Sequence, residues 1–109
     1  MKWIKVFPPG ISGSDDFLRS IPVSGRNICF VKLGEDLYAV QNKCPHAGAD
    51  LSQGWCSAGK LVCPYHRHEF DLETGRGAPG QGDYIDTYPL EHRADGVYIG
   101  IEDPWWKFW

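Results

Sequence analysis

Two short segments of the sequence each combine a thiol with an imidazole, and both groups are common ligands of transition metals. Residues 44–46 read Cys-Pro-His, residues 63–66 read Cys-Pro-Tyr-His, and sixteen residues separate the two segments. The proline after each cysteine fixes φ and removes one backbone donor. In an extended or turn conformation, residues two or three apart can face the same volume. We therefore expect both segments to aim a cysteine and a histidine at one centre.

The candidate ligands are Cys44, His46, Cys63 and His66. A structural zinc ion would accept them, because two cysteines and two histidines form a normal tetrahedral set. Classical zinc sites pair like residues at short spacings, however, whereas each segment here holds a mixed pair. Mixed pairs are expected if two irons are each bound by both segments, one by Cys44 and Cys63 and the other by His46 and His66. The order of ligands therefore favours a two-iron cluster over a structural zinc-binding interaction domain.

Short runs of β-forming residues, bounded by turn formers, predict strands along most of the chain. The predicted strands are 3–7, 28–33, 37–40, 60–63, 69–72, 85–90 and 96–101. A polar turn at 34–36 joins two of them into a hairpin, and the turn at 64–67, which carries His66, joins two others. No segment has a sustained helical period, so the predicted class is all-β.

Three segments between these strands are predicted to be loops. Residues 8–19 follow the first strand, and their sequence is also compatible with a short helix at 14–19 capped by Ser14. Residues 41–59 show no period of 2 or 3.6, so metal ligation rather than strand pairing is expected to hold them. Residues 75–82 hold four glycines and a proline. Composition leaves open whether this last loop lies against a cofactor or is a flexible connector.

The composition indicates one compact domain over residues 1–109, with a net charge of −3 and no cluster of basic residues. Nucleic acid would require a basic patch, and a membrane span would require roughly 20 apolar residues, so we expect neither partner. No export signal is visible, which predicts a cytoplasmic protein with reduced thiols.

Four other residues belong to metal-binding types but are not expected to be ligands. Cys29 lies in an apolar strand and is expected in the core. Cys56 is expected to be a free thiol. His68 is expected to face solvent, because the spacing of the second segment selects His66, and His92 is expected on the surface beside charged neighbours.

The sequence resembles the Rieske family, whose Cys-x-His and Cys-x-x-His motifs match residues 44–46 and 63–66 at the family's spacing. The resemblance covers about residues 27–101, including the flanks of both motifs. It implies a Rieske fold, with two antiparallel sheets forming a base sandwich and a cluster-binding lobe at about 41–71. It also implies one [2Fe–2S] cluster per chain, a third loop at 78–80 that closes over the cluster, and ligand histidines exposed at the tip of the lobe.

Neighbouring positions separate the subtypes of this family. Respiratory members carry a disulfide between the ligand loops, where this chain has Ala49 and Tyr65. They also place serine and tyrosine hydroxyls near the cluster sulfurs, where this chain has His68 and Phe70. Hydrogen bonds to the sulfurs stabilise the reduced cluster. Because this chain has no hydroxyl group at either position, we expect a low reduction potential.

The resemblance is therefore greatest to the soluble, ferredoxin-type members. It implies an electron carrier between a flavin- or iron–sulfur-containing reductase and a terminal oxygenase or reductase. The small subunit of assimilatory nitrite reductases is the alternative within the family. An independent oxygenase would need a mononuclear iron site in a much larger domain, so we do not expect an enzyme.

The last predicted feature is the aromatic segment 104–109, which contains Trp105, Trp106, Phe108 and Trp109. Large aromatic side chains cover much surface at a low entropic cost. The segment is expected either to pack on the sandwich or to bind a partner, and the sequence leaves both open.

Overall fold

The computed structural model describes residues 2–45, 48–65 and 67–102, and it confirms the all-β class. The strands within these ranges are β1 (Lys2–Phe7), β2 (Phe17–Val23), β3 (Arg26–Leu33), β4 (Asp36–Gln41), β5 (Trp55–Ser57), β6 (Lys60–Val62), β7 (Glu69–Asp71), β8 (Thr87–Tyr88), β9 (Leu90–Arg93) and β10 (Gly96–Ile101). Two 3₁₀ turns lie at Ile11–Gly13 and Leu51–Gln53. Within the described ranges, no helix is long and apolar enough to cross a membrane.

Two antiparallel sheets form a sandwich, one with the strand order β1-β10-β9 and the other with the order β2-β3-β4-β8. Their facing side chains form the sandwich core. In this core, Phe7 from β1 meets Phe30 from β3 edge to face, with 5.1 Å between the ring centroids. The buried members of the sandwich core are Phe7, Val23, Ile28, Phe30, Ala39, Val97, Ile99 and Ile101.

Strand β3 is buried on both faces, which explains its continuous apolar sequence. Ile28 and Phe30 point into the sandwich core, whereas Cys29 and Val31 contribute to a second core on the opposite face. The buried members of the second core are Cys29, Val31, Val40, Cys44, Ala49, Leu51, Leu61, Cys63, Phe70, Leu72 and Ile85. The sandwich therefore supports a second packed region that contains Cys44 and Cys63.

A third antiparallel sheet, with the order β5-β6-β7, contributes to the second core. The predicted hairpin of 60–63 and 69–72 is confirmed as β6 and β7, with Leu61 opposite Phe70. The turn from β5 to β6 contains Ala58 and Gly59, with φ values of 51° and 78°. Two consecutive positive φ angles are typical of a tight two-residue hairpin turn.

The prediction that residues 8–19 form a loop, or a short helix at 14–19, is wrong at its end. Strand β2 begins at Phe17 and pairs with β3 along its whole length, from Phe17 opposite Lys32 to Val23 opposite Arg26. Because β2 is an edge strand, it tolerates Pro22, which a central strand would not. Tertiary pairing thus organises a segment whose sequence pattern is irregular.

Two other boundaries also differ from the prediction. The segment 41–59, expected to be a loop throughout, contains β5. The single strand expected at 85–90 is divided at Pro89: β8 pairs with β4, whereas β9 pairs with β10. The chain therefore passes from one sheet of the sandwich to the other at a residue that has no backbone donor.

Candidate metal centre

The structure brings together two of the four predicted ligands. Cys44 and Cys63 lie on different loops, yet their side chains are in hydrogen-bond contact, and they are only 2% and 0% exposed. Burial raises the pKa of the Cys63 thiol, the Tyr65 backbone N–H bonded to it lowers the pKa, and the Cys44 thiol raises it again. A metal ion that displaces the thiol protons could bind both sulfurs, because they already lie in contact.

The loop after β4 places Cys44 by closing on itself. The Cys44 backbone N–H donates to the Ala49 carbonyl, and the Gly48 N–H donates to the Cys44 carbonyl, both over 2.8 Å. Gly48 has a φ of 70°, a left-handed conformation that glycine adopts without strain. The loop thus reverses direction within a few residues and returns Ala49 to the second core.

Asn42 fixes the base of this loop from inside the protein. Its side chain is nearly fully buried; the amide Nδ2 donates to Asp50 Oδ1 over 3.2 Å, and Oδ1 accepts the Ser52 N–H over 3.3 Å. The Asn42 carbonyl also accepts the Leu51 N–H. One buried amide therefore joins the two ends of the first candidate ligand loop.

The loop between β6 and β7 places Cys63. The Cys63 backbone N–H donates to the His68 carbonyl over 2.8 Å, and the Tyr65 N–H is bonded to the Cys63 sulfur. Arg67 has a φ of 53°, which is unusual for a residue other than glycine and completes the reversal. One backbone hydrogen bond therefore closes the base of the loop, and the Cys63 sulfur already accepts a bond from the backbone.

A third loop, residues 77–83, is attached to the second ligand loop. The Ala78 N–H donates to the Glu69 carbonyl over 3.1 Å. The side chain of Gln81 pairs with the backbone of Glu69 in both directions: its Oε1 accepts the Glu69 N–H over 2.9 Å, and its Nε2 donates to the Glu69 carbonyl over 3.1 Å. Asp83 Oδ2 lies 3.3 Å from His68 Nδ1.

The position of His68 corrects one prediction. The histidine was expected to face solvent, but its side chain is only 21% exposed and it pairs with the equally buried Asp83. Residues as far apart in the sequence as His68 and Asp83 come together because the third loop folds back over β7. Gln81 and Asp83 were not predicted to contribute, although the glycines around them mark a close approach of two segments.

The other two predicted ligands, His46 and His66, lie outside the described residues, as does the aromatic segment 104–109. Within the described ranges, no three His, Cys, Asp or Glu side chains are grouped as a metal site. The two buried, adjacent thiols nevertheless fit iron–sulfur ligation, because thiolates are soft ligands that suit iron–sulfur clusters and both side chains are shielded from solvent.

The remaining cysteines and His92 agree with the predictions. Cys29 is fully buried in β3, where burial and the neighbouring Cys56 raise its pKa to about 12. Cys56 is a half-buried free thiol, and burial followed by the Asp16 carboxylate raises its pKa. His92 is exposed on β9. Both thiols are therefore mainly protonated at neutral pH and are poor nucleophiles.

Two exposed tyrosines lie close to the loops that hold the thiols. Tyr65 is 60% exposed and follows Cys63 by two residues, and Tyr84 is 67% exposed and follows Asp83. Tyr65 and Ala49, which stand where respiratory members carry their disulfide, line one shallow hollow of about 480 Å³. Exposed aromatic side chains of this kind are common in protein–protein contacts.

The sequence of the chain matches one family model and is similar to the ferredoxin components of dioxygenase systems. The model of the Rieske [2Fe-2S] domain matches residues 2–89. The ferredoxin component of the naphthalene 1,2-dioxygenase system of Pseudomonas putida is 30% identical over 103 residues, which cover 93% of this chain and 97% of that protein.

A larger protein and a solved complex are also similar to the chain. The 4beta-methylsterol monooxygenase of Methylococcus capsulatus is 50% identical over 79 residues, which cover 63% of this chain but only 21% of that protein. A chain of the complex of reduced oxygenase and oxidized ferredoxin in carbazole 1,9a-dioxygenase superimposes with a TM-score of 0.77 and 25% identity. This superposition covers 89% of this chain and 91% of that one.

Proposed function

Since the chain belongs to the Rieske [2Fe-2S] domain family and its cofactor is one [2Fe–2S] cluster, we propose that it carries single electrons to an oxygenase. The observation that carries the proposal is the match to a ferredoxin component over 97% of that protein's length. The structural likeness to the complex of an oxygenase with its ferredoxin supports the same role. The source of the electrons would be a flavin- or iron–sulfur-containing reductase, and the place of action the cytoplasm.

We assign the cluster to Cys44, His46, Cys63 and His66, in a lobe at about 41–71 of a single domain. The contact between the two buried thiols supports one iron bound by Cys44 and Cys63. The histidines follow these cysteines by two and three residues, which supports a second iron bound by His46 and His66. When bound, such a cluster accepts and releases one electron at a time.

The residues around the thiols also support a low reduction potential. Phe70, which takes the place of a hydroxyl donor, is fully buried in the second core and offers no O–H group to a sulfur. We place the potential near the low end of the family's range of about −150 to +300 mV. Protein-film voltammetry tests this value, and a midpoint far above zero contradicts it.

Iron analysis and spectroscopy test the ligand assignment directly. The purified protein is expected to contain two irons and two sulfides per chain and, once reduced, to give the electron paramagnetic resonance spectrum of mixed nitrogen and sulfur ligation. Cys44→Ser and Cys63→Ser are expected to lose the cluster, whereas Cys56→Ser, the matched control, is expected to keep it. A colourless protein with one zinc ion per chain contradicts the assignment.

Electron transfer to purified acceptors tests the function. The reduced protein is expected to be reoxidised rapidly by a ring-hydroxylating dioxygenase, and slowly by a nitrite reductase that lacks its small subunit. The reverse preference would favour the nitrite-reductase alternative. Tyr84→Ala is expected to weaken oxygenase binding without changing the spectrum, while Tyr98→Ala, on the sandwich, is the control. Substrate turnover by the isolated chain would instead indicate an enzyme.

A further inference from the structure

The third loop holds a carboxylate in a fixed position beside the second candidate ligand loop. Asp83 Oδ1 accepts a hydrogen bond of 2.6 Å from Gln81 Nε2, and Asp83 Oδ2 lies 3.3 Å from His68 Nδ1. Gln81 is itself held by its paired bonds to the Glu69 backbone. Both carboxylate oxygens of Asp83 therefore have partners that restrict their movement.

The backbone beneath this carboxylate is equally constrained. The Gly77 N–H donates to the Asp83 carbonyl over 2.9 Å. A Cβ atom at Gly77 would lie 2.6 Å from the Asp83 carbonyl oxygen, 2.6 Å from Gln81 Nε2 and 2.7 Å from Asp83 Oδ1. Only glycine therefore allows the carboxylate, the amide and the backbone to pack so closely.

The charge of Asp83 lies close to Cys63 and is poorly screened. The Cys63 N–H is bonded to the His68 carbonyl, and the His68 ring is the partner of Asp83. The carboxylate is only 21% exposed, so water screens its field less than that of a surface charge. Two successive hydrogen bonds, through the His68 ring and the His68 carbonyl, therefore connect the carboxylate to the residue whose sulfur is assigned to the cluster.

We propose that Asp83, a carboxylate held in place by Gln81, lowers the reduction potential of the cluster through its negative charge. The reason is electrostatic, since a nearby negative charge makes the addition of an electron less favourable. The proposal rests on the assignment of Cys63 as a cluster ligand. It adds a second, independent cause of a low potential to the presence of Phe70 where a hydroxyl donor would stand.

The test is the midpoint potential of the Asp83→Asn holoprotein by protein-film voltammetry at neutral pH. Asparagine keeps the size and the acceptor oxygen but removes the charge. The equilibrium constant for reduction is expected to rise about three- to tenfold, which is about 30 to 60 mV at 59 mV per tenfold change for one electron. Asp86→Asn removes an exposed charge from the same segment and is expected to change the potential much less.

Three outcomes would overturn the proposal. An unchanged or lower potential in Asp83→Asn would show that the field has no effect on the cluster. An equal rise in Asp86→Asn would show that any nearby charge has the same effect. Loss of the Asp83→Asn shift in a His68→Gln background would show that the carboxylate acts only through the histidine.

Two further measurements keep the test interpretable. Asp83→Ser is a second neutral variant, to be measured if Asp83→Asn does not fold, and the same rise is expected of it. The iron content and the electron paramagnetic resonance spectrum of the unsubstituted protein report ligation separately from the potential. Absence of the cluster signal there contradicts the proposed function, whereas a normal signal without a shift in the variants contradicts only the role of Asp83.

Discussion

The sandwich core and the second core are built in different ways, although strand β3 contributes to both. The sandwich core is formed by side chains from two sheets whose strands pair along most of their length, with one register shift between Lys5 and Phe7 in β1. The second core lies beneath loops, and its members include the two thiols assigned to the cluster. In the first region strand pairing satisfies the backbone. In the second, backbone bonds within and between loops do so, with additional bonds from the side chains of Asn42 and Gln81.

This difference indicates how stability and function are divided within the chain. Hydrophobic burial between two sheets needs no metal, so the sandwich is expected to fold with or without a cluster. The loops above the second core place their sulfurs through a small number of hydrogen bonds, each modest in net energy. The cluster is therefore expected to stabilise the second core far more than the sandwich.

Two phenylalanines, one in each core, give the largest expected effects. Phe30 and Phe70 are both fully buried. Replacement of either by alanine is expected to lower the free energy of unfolding by about 3 to 5 kcal/mol, measured by denaturant titration. Only Phe70→Ala is also expected to speed loss of iron to a chelator under native conditions. Equal rates of iron loss in the two variants would contradict the division between the cores.

Gly54 offers a smaller and more local perturbation of the second core. A Cβ atom there would lie 1.9 Å from the Val62 carbonyl oxygen, directly before Cys63. Gly54→Ala is expected to lower the free energy of unfolding by about 1 to 3 kcal/mol, because β5 and β6 must move apart. Gly13→Ala, with no atom within 4 Å of the new Cβ, is the control. A Gly54→Ala protein with unchanged stability and unchanged iron retention would show that this contact is readily relieved.

Asn42 tests whether hydrogen bonds alone hold the first ligand loop. Asn42→Ala removes the donor to Asp50 and leaves the Ser52 N–H without its acceptor. We expect a loss of about 1 to 2 kcal/mol in unfolding free energy and faster release of iron to a chelator. Asn27→Ala, at an exposed position of β3, is expected to change neither. Unaltered iron release in Asn42→Ala would mean that the cluster itself fixes the loop.

The sequence predicted the parts of the fold that depend on local patterns. The hairpin of β3 and β4 followed from two apolar runs around a polar turn, and the structure confirms it. Strands β2 and β5 were missed because their own sequences are irregular or short. Two-residue turns would have revealed them: Ser24-Gly25 precedes β3 and Ala58-Gly59 precedes β6, and each pair has positive φ angles.

The candidate site shows the same limit more sharply. The spacing of cysteines and histidines predicts a metal centre, because that chemistry requires few residue types. The contacts of Gln81 with Glu69, and of Asp83 with His68, join residues twelve and fifteen positions apart across two loops. Such contacts depend on how the loops fold against each other, so no local pattern predicts them.

Asp71, at the end of β7, gives the smallest expected effect and tests how far charge stabilises the turn toward the third loop. Its Oδ1 accepts the N–H groups of Glu73 and Thr74 over 2.8 and 3.0 Å, and these bonds lower the pKa of the carboxyl from the ordinary 3.8. A pKa lower in the folded than in the unfolded state stabilises the protein above pH 3.8, and this contribution is lost as the pH falls through the folded value.

Asp71→Asn keeps the acceptor oxygen and removes the charge, so it separates the two contributions. At pH 7 the variant is expected to melt slightly below the unsubstituted protein, by a small margin because the residue is only partly buried and water screens its charge. The difference is expected to shrink toward zero as the pH falls below 3.8. Thermal melts from pH 2.5 to 7, with Asp15→Asn as an exposed control, provide the measurement. A difference that stays constant with pH would show that the turn depends on the geometry of the acceptor and not on its charge.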